Sequence, residues 1–287
     1  MIWALLVACG LFSAEVPTAE DAQERVVSLT PAITETVAEL GRVDLLVGRS
    51  EWCTQPESVR SLPSVGSGLT PELERIAALR PTRILLDASH ASQIGELQAL
   101  APVEVLPWLT LDEVVGSVNR LGVLLDASSA AETLAAELGA LDVTPPPDGP
   151  EVLLTLGGAN LEDGELWYVR PGSLHGQVLH AAGARNAIVQ EPSGPPVLSL
   201  EALVALDPPA IVVLVAMEAD DEVAERARED LSRLAPLRAV ASGRVGVVSG
   251  PTMMSTGPSI RGTVRSLRQA IDALPPLAEA RATEPSP

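Results

Sequence analysis

The sequence predicts an α/β protein of two similar lobes, each with a central, mainly parallel sheet, joined by a long helical connector. Three observations predict it. Short apolar runs alternate with helical patterns along most of the 287 residues, the signature of a parallel sheet covered by helices. One stretch of the first half recurs in the second. Between the two copies lies a long stretch without Pro and with helical periodicity.

In order, residues 25–29 form a β-rich run. Thr30-Pro31 then opens a helical pattern over residues 33–40, and Gly41 stands where a helix prefers glycine just past its end. Residues 45–47 return to strand. Residues 71–79 are helical until Pro81, and 84–86 and 103–106 are further strands. From 111 to 141 the residues Val114, Val118, Leu121, Leu125, Leu134 and Leu138 make an apolar stripe, interrupted at Gly122 and around 126–129. The Pro-rich segment 144–150 is a loop. A second α/β series follows: strands near 152–156, 211–215 and 245–248, with helices near 174–182, 200–206, 226–234 and 260–274.

The repeat is specific in its order. Leu73-Glu74 through Pro81 to Leu86 matches Leu200-Glu201 through Pro208 to Val213. Both read as a short helix with Glu in its first turn, a Pro stop and a buried strand. The boundaries are therefore a leader over 1–23, a first lobe over 24–110, the connector and its loop over 111–149, a second lobe over 150–274 and a disordered tail over 275–287. A ligand belongs in the cleft between the lobes, where the strand ends converge.

Composition excludes several classes. The chain has no Lys, and 38 Asp and Glu against 19 Arg leave a net charge of −19. Such an acidic chain suits neither nucleic acid nor an anionic membrane surface. No apolar run reaches the ~20 residues of a spanning helix. The apolar opening reads as an export leader, although it lacks a basic start. Within it Leu6-Val7-Ala8-Cys9 resembles the bacterial lipobox. Cys9 is thus the lipidation candidate, and a lipid anchor is the only expected membrane contact; cleavage near Ala14 is the other reading. With Cys9 set aside, the lone Cys53 is consistent with an oxidising compartment.

No catalytic constellation emerges. There is no phosphate-cradling loop and no nucleophile elbow. His175 and His180 are five apart, which is not the spacing of a helical zinc site, and with His90 they are the only histidines. His90 follows a strand in a loop facing the cleft. An iron or cobalt ligand is one reading for it, and a surface His the favoured one. No catalytic residue, metal ligand or cofactor is expected, and the chain is not expected to be an enzyme.

Several segments resemble the helical-backbone periplasmic binding proteins, the vitamin B12 and ferric-siderophore receptors of ABC importers. Arg25-Val26-Val27-Ser28-Leu29-Thr30-Pro31-Ala32-Ile33-Thr34-Glu35 is similar to their opening strand and helix, and Gly48 to Pro56 to the next strand and loop. Residues 73–81 and 199–208 resemble their two Glu-bearing helices, and Gly183-Ala184-Arg185-Asn186-Ala187 another segment. The resemblance spans 25–274. It implies Rossmann-like lobes joined by one long backbone helix, and a location in the periplasm or on the outer side of the inner membrane. The implied ligand is a corrinoid or a ferric siderophore. The implied partner is an ABC permease dimer with its ATPase subunits.

By that resemblance Glu74 and Glu201 dock on the permease, one per subunit. The implied cleft residues are Pro31, Trp52, Trp108, Trp167, Tyr168 and Met253. Aromatic side chains suit a flat corrin with an apolar face and a polar rim. Departures are visible too. Asp87 stands where the family has a cleft Trp, and Thr252 or Met253 where it has another. Arg170 and Arg261 are candidates for anionic groups of a siderophore. A haem receptor of the same fold and an enzyme on a related chelatase-like scaffold are the alternatives. The haem reading requires Tyr168 or His90 as ligand.

Overall fold

The computed structural model describes residues 24–157, 164–190, 193–216, 221–234 and 236–276, without the side chains of 89–91 and 221–224. The leader with Cys9 and nearly all of the tail lie outside the described residues.

The first lobe contains β1 (Val26–Ser28), α1 (Pro31–Glu39), β2 (Leu46–Arg49), α2 (Leu73–Leu79), β3 (Arg83–Asp87), α3 (Ile94–Gln98) and β4 (Val103–Leu106). Its strands pair in parallel in the order β2-β1-β3-β4. Every residue of β1 is buried, as befits a strand covered on both faces. α1 starts at Pro31, whose fixed φ suits a first helical turn. It ends before Gly41, which takes φ 73.

The connector is α4 (Leu111–Leu124) and α5 (Ser128–Gly139). The single long helix implied by the resemblance is here two helices packed on each other. The break lies at the expected interruption, where Asp126 takes φ 53. Asp is among the few residues that tolerate that left-handed region. Gly122 permits the close approach, because a Cβ there would stand 2.3 Å from the Cβ of Ala131. Thr110 and Glu113 form a capping box at the start of α4. Arg42 donates to Asp126 O at 2.9 Å and ties the corner to the first lobe.

The second lobe continues with β5 (Glu151–Leu156), β6 (Glu165–Trp167), α6 (Leu174–Ala181), β7 (Arg185–Asn186), β8 (Val197–Ser199), α7 (Leu200–Leu206), β9 (Ile211–Val215), α8 (Asp221–Ser232), α9 (Arg238–Ala241), β10 (Val245–Ser249) and α10 (Ile260–Asp272). Its parallel sheet runs β10-β9-β5-β7, and β6 and β8 form an antiparallel ribbon. β6 lies in a polar stretch of the sequence, Glu162-Asp163-Gly164-Glu165, and so does not show as an apolar run.

The repeat is borne out in backbone detail. α2 and α7 have seven residues each and end on a left-handed residue, Arg80 at φ 47 and Asp207 at φ 40. Each precedes a Pro, which disfavours helical backbone in the residue before it.

Strand alternation divides the core in three. Val26, Leu85, Val152, Leu154, Val212 and Leu214 point into one central cluster with α1, α4, α5, α6 and α10. Val27, Ile84 and Leu86 face a cluster of the first lobe, and Leu153, Ile211 and Val213 one of the second. The lobes thus share a continuous middle core. Among the described residues no helix is long and apolar enough to cross a membrane.

Candidate ligand cleft

The cleft begins where the chain leaves β2. Ser50 N donates to Ser28 O at 3.0 Å and Glu51 N to Gly66 O at 2.8 Å. Arg49 spreads its guanidinium over the carbonyls of Ser50 and Val59 at 3.0 and 2.9 Å. Such local anchoring lets Trp52 stand out, 49% exposed, while the next residue, Cys53, is buried. Burial pushes the Cys53 thiol up despite the Ser50 hydroxyl beside it. The thiol is therefore a packing group rather than a nucleophile.

Trp52 and Pro31 belong to two adjoining pockets. One, of about 180 Å³, lies within the first lobe against Leu29, Thr30, Gly68, Leu69 and Asp87. The other, of about 150 Å³, lies between the lobes, where Glu35, Thr54 and Gln55 face Pro251, Thr252, Met254 and Ser255. Both sit beyond the carboxyl ends of parallel strands, where ligands of such sheets bind. No basic side chain lines either pocket. A larger open groove of about 820 Å³ runs between α5 and α10 past Glu137, Thr252, Arg261 and Arg265. It has no aromatic residue, so the Trp52 pockets are the better site for a flat apolar face.

The other expected cleft residues are placed differently. Trp108 is 4% exposed and donates its indole N–H to Thr256 O at 2.8 Å, so it buttresses the cleft from inside the core. Tyr168 is 1% exposed, packed in the second-lobe core because β6 turns it inward. Met253 is 8% exposed and its neighbour Met254 lines the pocket instead. Trp167 is 49% exposed on β6, opposite Val197, outside the walls of both pockets. Asp87 and Thr252 do line pockets.

Arg261 is ion-paired with Glu39 at 2.5 Å and with Glu137, and Arg170 donates to Gly194 O. His175 meets Met253 O at 3.3 Å, and burial pushes its pKa down. Burial also lowers that of His180. The side chain of His90 lies outside the described residues. Among the described residues no group of His, Cys, Asp and Glu is arranged to hold a metal ion.

Sequence reasoning missed Glu35, Thr54, Gln55, Leu69, Pro251 and Ser255. The usable signal was position: Thr54 and Gln55 follow β2, Pro251 and Ser255 follow β10, and Glu35 lies on the helix that follows β1. Glu74 and Glu201 are both exposed, each at the second position of its seven-residue helix.

The family model for periplasmic binding protein matches residues 26–249. A cobalamin-binding protein of Halobacterium salinarum is 28% identical over 246 residues, 81% of this chain and 65% of that one. The match thus spans just under two thirds of that relative's length. A vitamin B12-binding protein of Pectobacterium carotovorum is 28% identical over 66% of this chain and 71% of its own. The crystal structure of a periplasmic heme binding protein from Pseudomonas aeruginosa superposes with a TM-score of 0.69 at 28% identity, covering 89% of this chain and 95% of the other. With its two parallel sheets, shared core and interlobe pocket, the chain belongs to the periplasmic binding protein family.

Proposed function

We propose that this chain is the extracytoplasmic solute-binding receptor of an ABC importer and that its ligand is a corrinoid. The observation that carries the reading is the pair of pockets around Trp52 and Pro31, one of them closed from the other lobe by Pro251, Thr252, Met254 and Ser255, and both free of basic side chains. A corrin presents a broad apolar face and neutral amide arms. An indole platform with Thr, Gln and Ser hydroxyl and amide groups suits that chemistry. Haem propionates and anionic ferric siderophores call for a cation that the pockets lack. The cobalamin and vitamin B12 relatives support the same reading.

Haem is the second reading, favoured by the Pseudomonas structure. Against it, Tyr168 is buried in the core and His175 is held on Met253 O. Two measurements decide. The first is the absorbance spectrum of protein from its native host. The second is quenching of Trp fluorescence by cyanocobalamin, by hemin and by a ferric tris-catecholate. We expect quenching by cyanocobalamin at the lowest concentration. Quenching by hemin or the ferric complex alone would reassign the ligand, and none by all three would sink the receptor role.

The same reading places the mature protein outside the cytoplasm, with 1–23 as leader and Cys9 as the lipidation site. It takes 24–110 and 150–274 as the two ligand-gripping lobes. Glu74 and Glu201 then pair with Arg on the two permease subunits, with the ATPase subunits beneath. What supports this is their exposure and their equivalent positions in the repeat.

A further inference from the structure

The loop from Gly250 to Ser259 supplies the second lobe's whole wall of the interlobe pocket, Pro251, Thr252, Met254 and Ser255. Gly250 N donates to Val215 O at 3.0 Å, but the other backbone bonds are few and short-range, among them Met253 N to Gly250 O at 3.2 Å and Ser255 N to Thr252 O at 2.9 Å. Besides Arg261 of α10, which donates to Pro258 O at 3.1 Å, three side chains from other elements hold it. His175 of α6 meets Met253 O at 3.3 Å, and Trp108, before α4, donates to Thr256 O at 2.8 Å. The third is Glu35 of α1. One of its carboxylate oxygens accepts Ser259 N at 2.5 Å and the other accepts the Ser255 hydroxyl at 2.8 Å. The Ser255 oxygen in turn accepts Gly257 N at 3.0 Å.

Glu35 therefore crosses from the first lobe to the start of α10, where backbone N–H groups lack helical partners and a negative charge is favoured. The approach needs glycine at 257, since a Cβ there would stand 2.7 Å from Glu35 Oε2 and 3.2 Å from Ala32 Cα. One turn along α1, Glu39 pairs with Arg261 of α10 at 2.5 Å. The two helices are thus joined by two rungs, and only the Glu35 rung reaches the pocket wall.

We infer that Glu35 is a positioning residue for ligand binding: it holds the 251–255 wall at the distance from Trp52 that the ligand requires. This rests on the receptor reading above. The carboxylate itself is occupied by Ser255 and Ser259, so it acts through the wall. Losing two charge-assisted bonds should weaken cyanocobalamin binding roughly tenfold to a hundredfold.

The test compares wild type with Glu35→Ala, Glu35→Gln, Ser255→Ala and Arg261→Gln. Amide hydrogen exchange of the ligand-free protein is read first. Glu35→Ala should speed exchange at 251–259 at least about tenfold while strands of both sheets stay protected. Unchanged exchange there would overturn the latch. Trp quenching by cyanocobalamin is read next. Glu35→Ala should lose affinity, Glu35→Gln should lose less because it keeps one acceptor, and adding Ser255→Ala to Glu35→Ala should cost little more. Arg261→Gln breaks the other rung and the bond to Pro258 O, which lies outside the pocket wall, and should bind normally. Equal losses in Arg261→Gln and Glu35→Ala would replace the specific latch by a general lobe contact. A wild type that binds none of the three ligand probes would sink the receptor reading and the positioning role with it. The exchange result would still decide whether Glu35 fixes the loop.

Discussion

The two lobes repeat one unit and support it by different means. In both, a seven-residue helix stops on a left-handed residue before Pro and delivers the chain into a buried strand. In the first lobe no side chain caps the start of α2. Its end is held by Arg25, which donates to Leu79 O at 2.7 Å, a cation on the negative end of a helix. In the second lobe the Ser199 hydroxyl caps α7 by accepting Ala202 N at 3.1 Å. Arg238 there grips Asp207 at 2.7 Å. The Arg238 contacts also hold the Asp207 carboxyl below its ordinary range, chiefly through the backbone bond from Arg238 N. Backbone constraints are what the copies share, because Pro and the strand leave the chain one exit. Side-chain support is free to diverge, since several chemistries satisfy the same helix ends.

The comparison breaks first at the permease. If the lobes dock as equivalents, Glu74→Ala and Glu201→Ala should each cut uptake, and the double variant should abolish it with ligand binding unchanged. Uptake at wild-type level in the double variant would remove the docking role. A loss confined to one single variant would show that one lobe alone grips the permease.

The next contrast is between the two half-exposed tryptophans, one in each lobe. Trp52 lines both pockets and Trp167 neither. Trp52→Ala should weaken cyanocobalamin binding by about thirtyfold or more, the scale of an interface anchor. Trp167→Ala should change it by less than about threefold. Equal losses would extend the site to the β6–β8 ribbon.

Smaller effects separate the helix starts. Ser199→Ala should cost about 1 kcal/mol in urea unfolding, the usual value of a lost cap. Glu72→Ala, at the uncapped start of α2, should stay within about 0.5 kcal/mol, because it only loses an exposed pair with Arg75. A cost at Glu72 matching that at Ser199 would erase the distinction.

The last contrast is a pH dependence of the second lobe. The folded pKa of His175 lies below its ordinary value of 6.5 because burial disfavours the cation. The unfolded chain then binds more protons near and below that value. Stability from this group is present above pH 6.5 and falls as the pH drops toward the folded pKa. The melting temperature should decline between pH 7.5 and 5, and less so in His175→Gln. An identical decline in both would assign the effect to other groups, His180 first among them.

Legibility followed the range of the interactions. Strands β1, β3, β5 and β9 stood out as apolar runs because they are buried on both faces, and the half-buried edge strands β4 and β10 still read as short apolar runs. β6 did not, since Glu165 and the preceding Glu162-Asp163-Gly164 make that stretch of sequence polar. The connector's interruption was visible at 126–129, but the folding back of α5 on α4 depends on Gly122 meeting Ala131 across the corner. In the site, Trp52 and Pro31, implied by the resemblance, were legible and do line the pockets. Tyr168, Trp108 and Met253 were not, because pocket and core residues are alike aromatic or apolar and only packing separates them. Arg261 read as a ligand contact until the fold set Glu39 and Glu137 against it.

By itself, then, the sequence determined two α/β lobes, their repeat, the helical joint and the acidic, lysine-free character that excludes nucleic acid. These rest on local periodicity, on Pro and Gly geometry and on composition, which each segment carries alone. Only the tertiary structure decided which aromatic side chains face the cleft, that the lobes share one core and that Glu35 reaches Ser255 and Ser259. Those contacts join residues more than two hundred positions apart, and no local pattern encodes a partner at that distance.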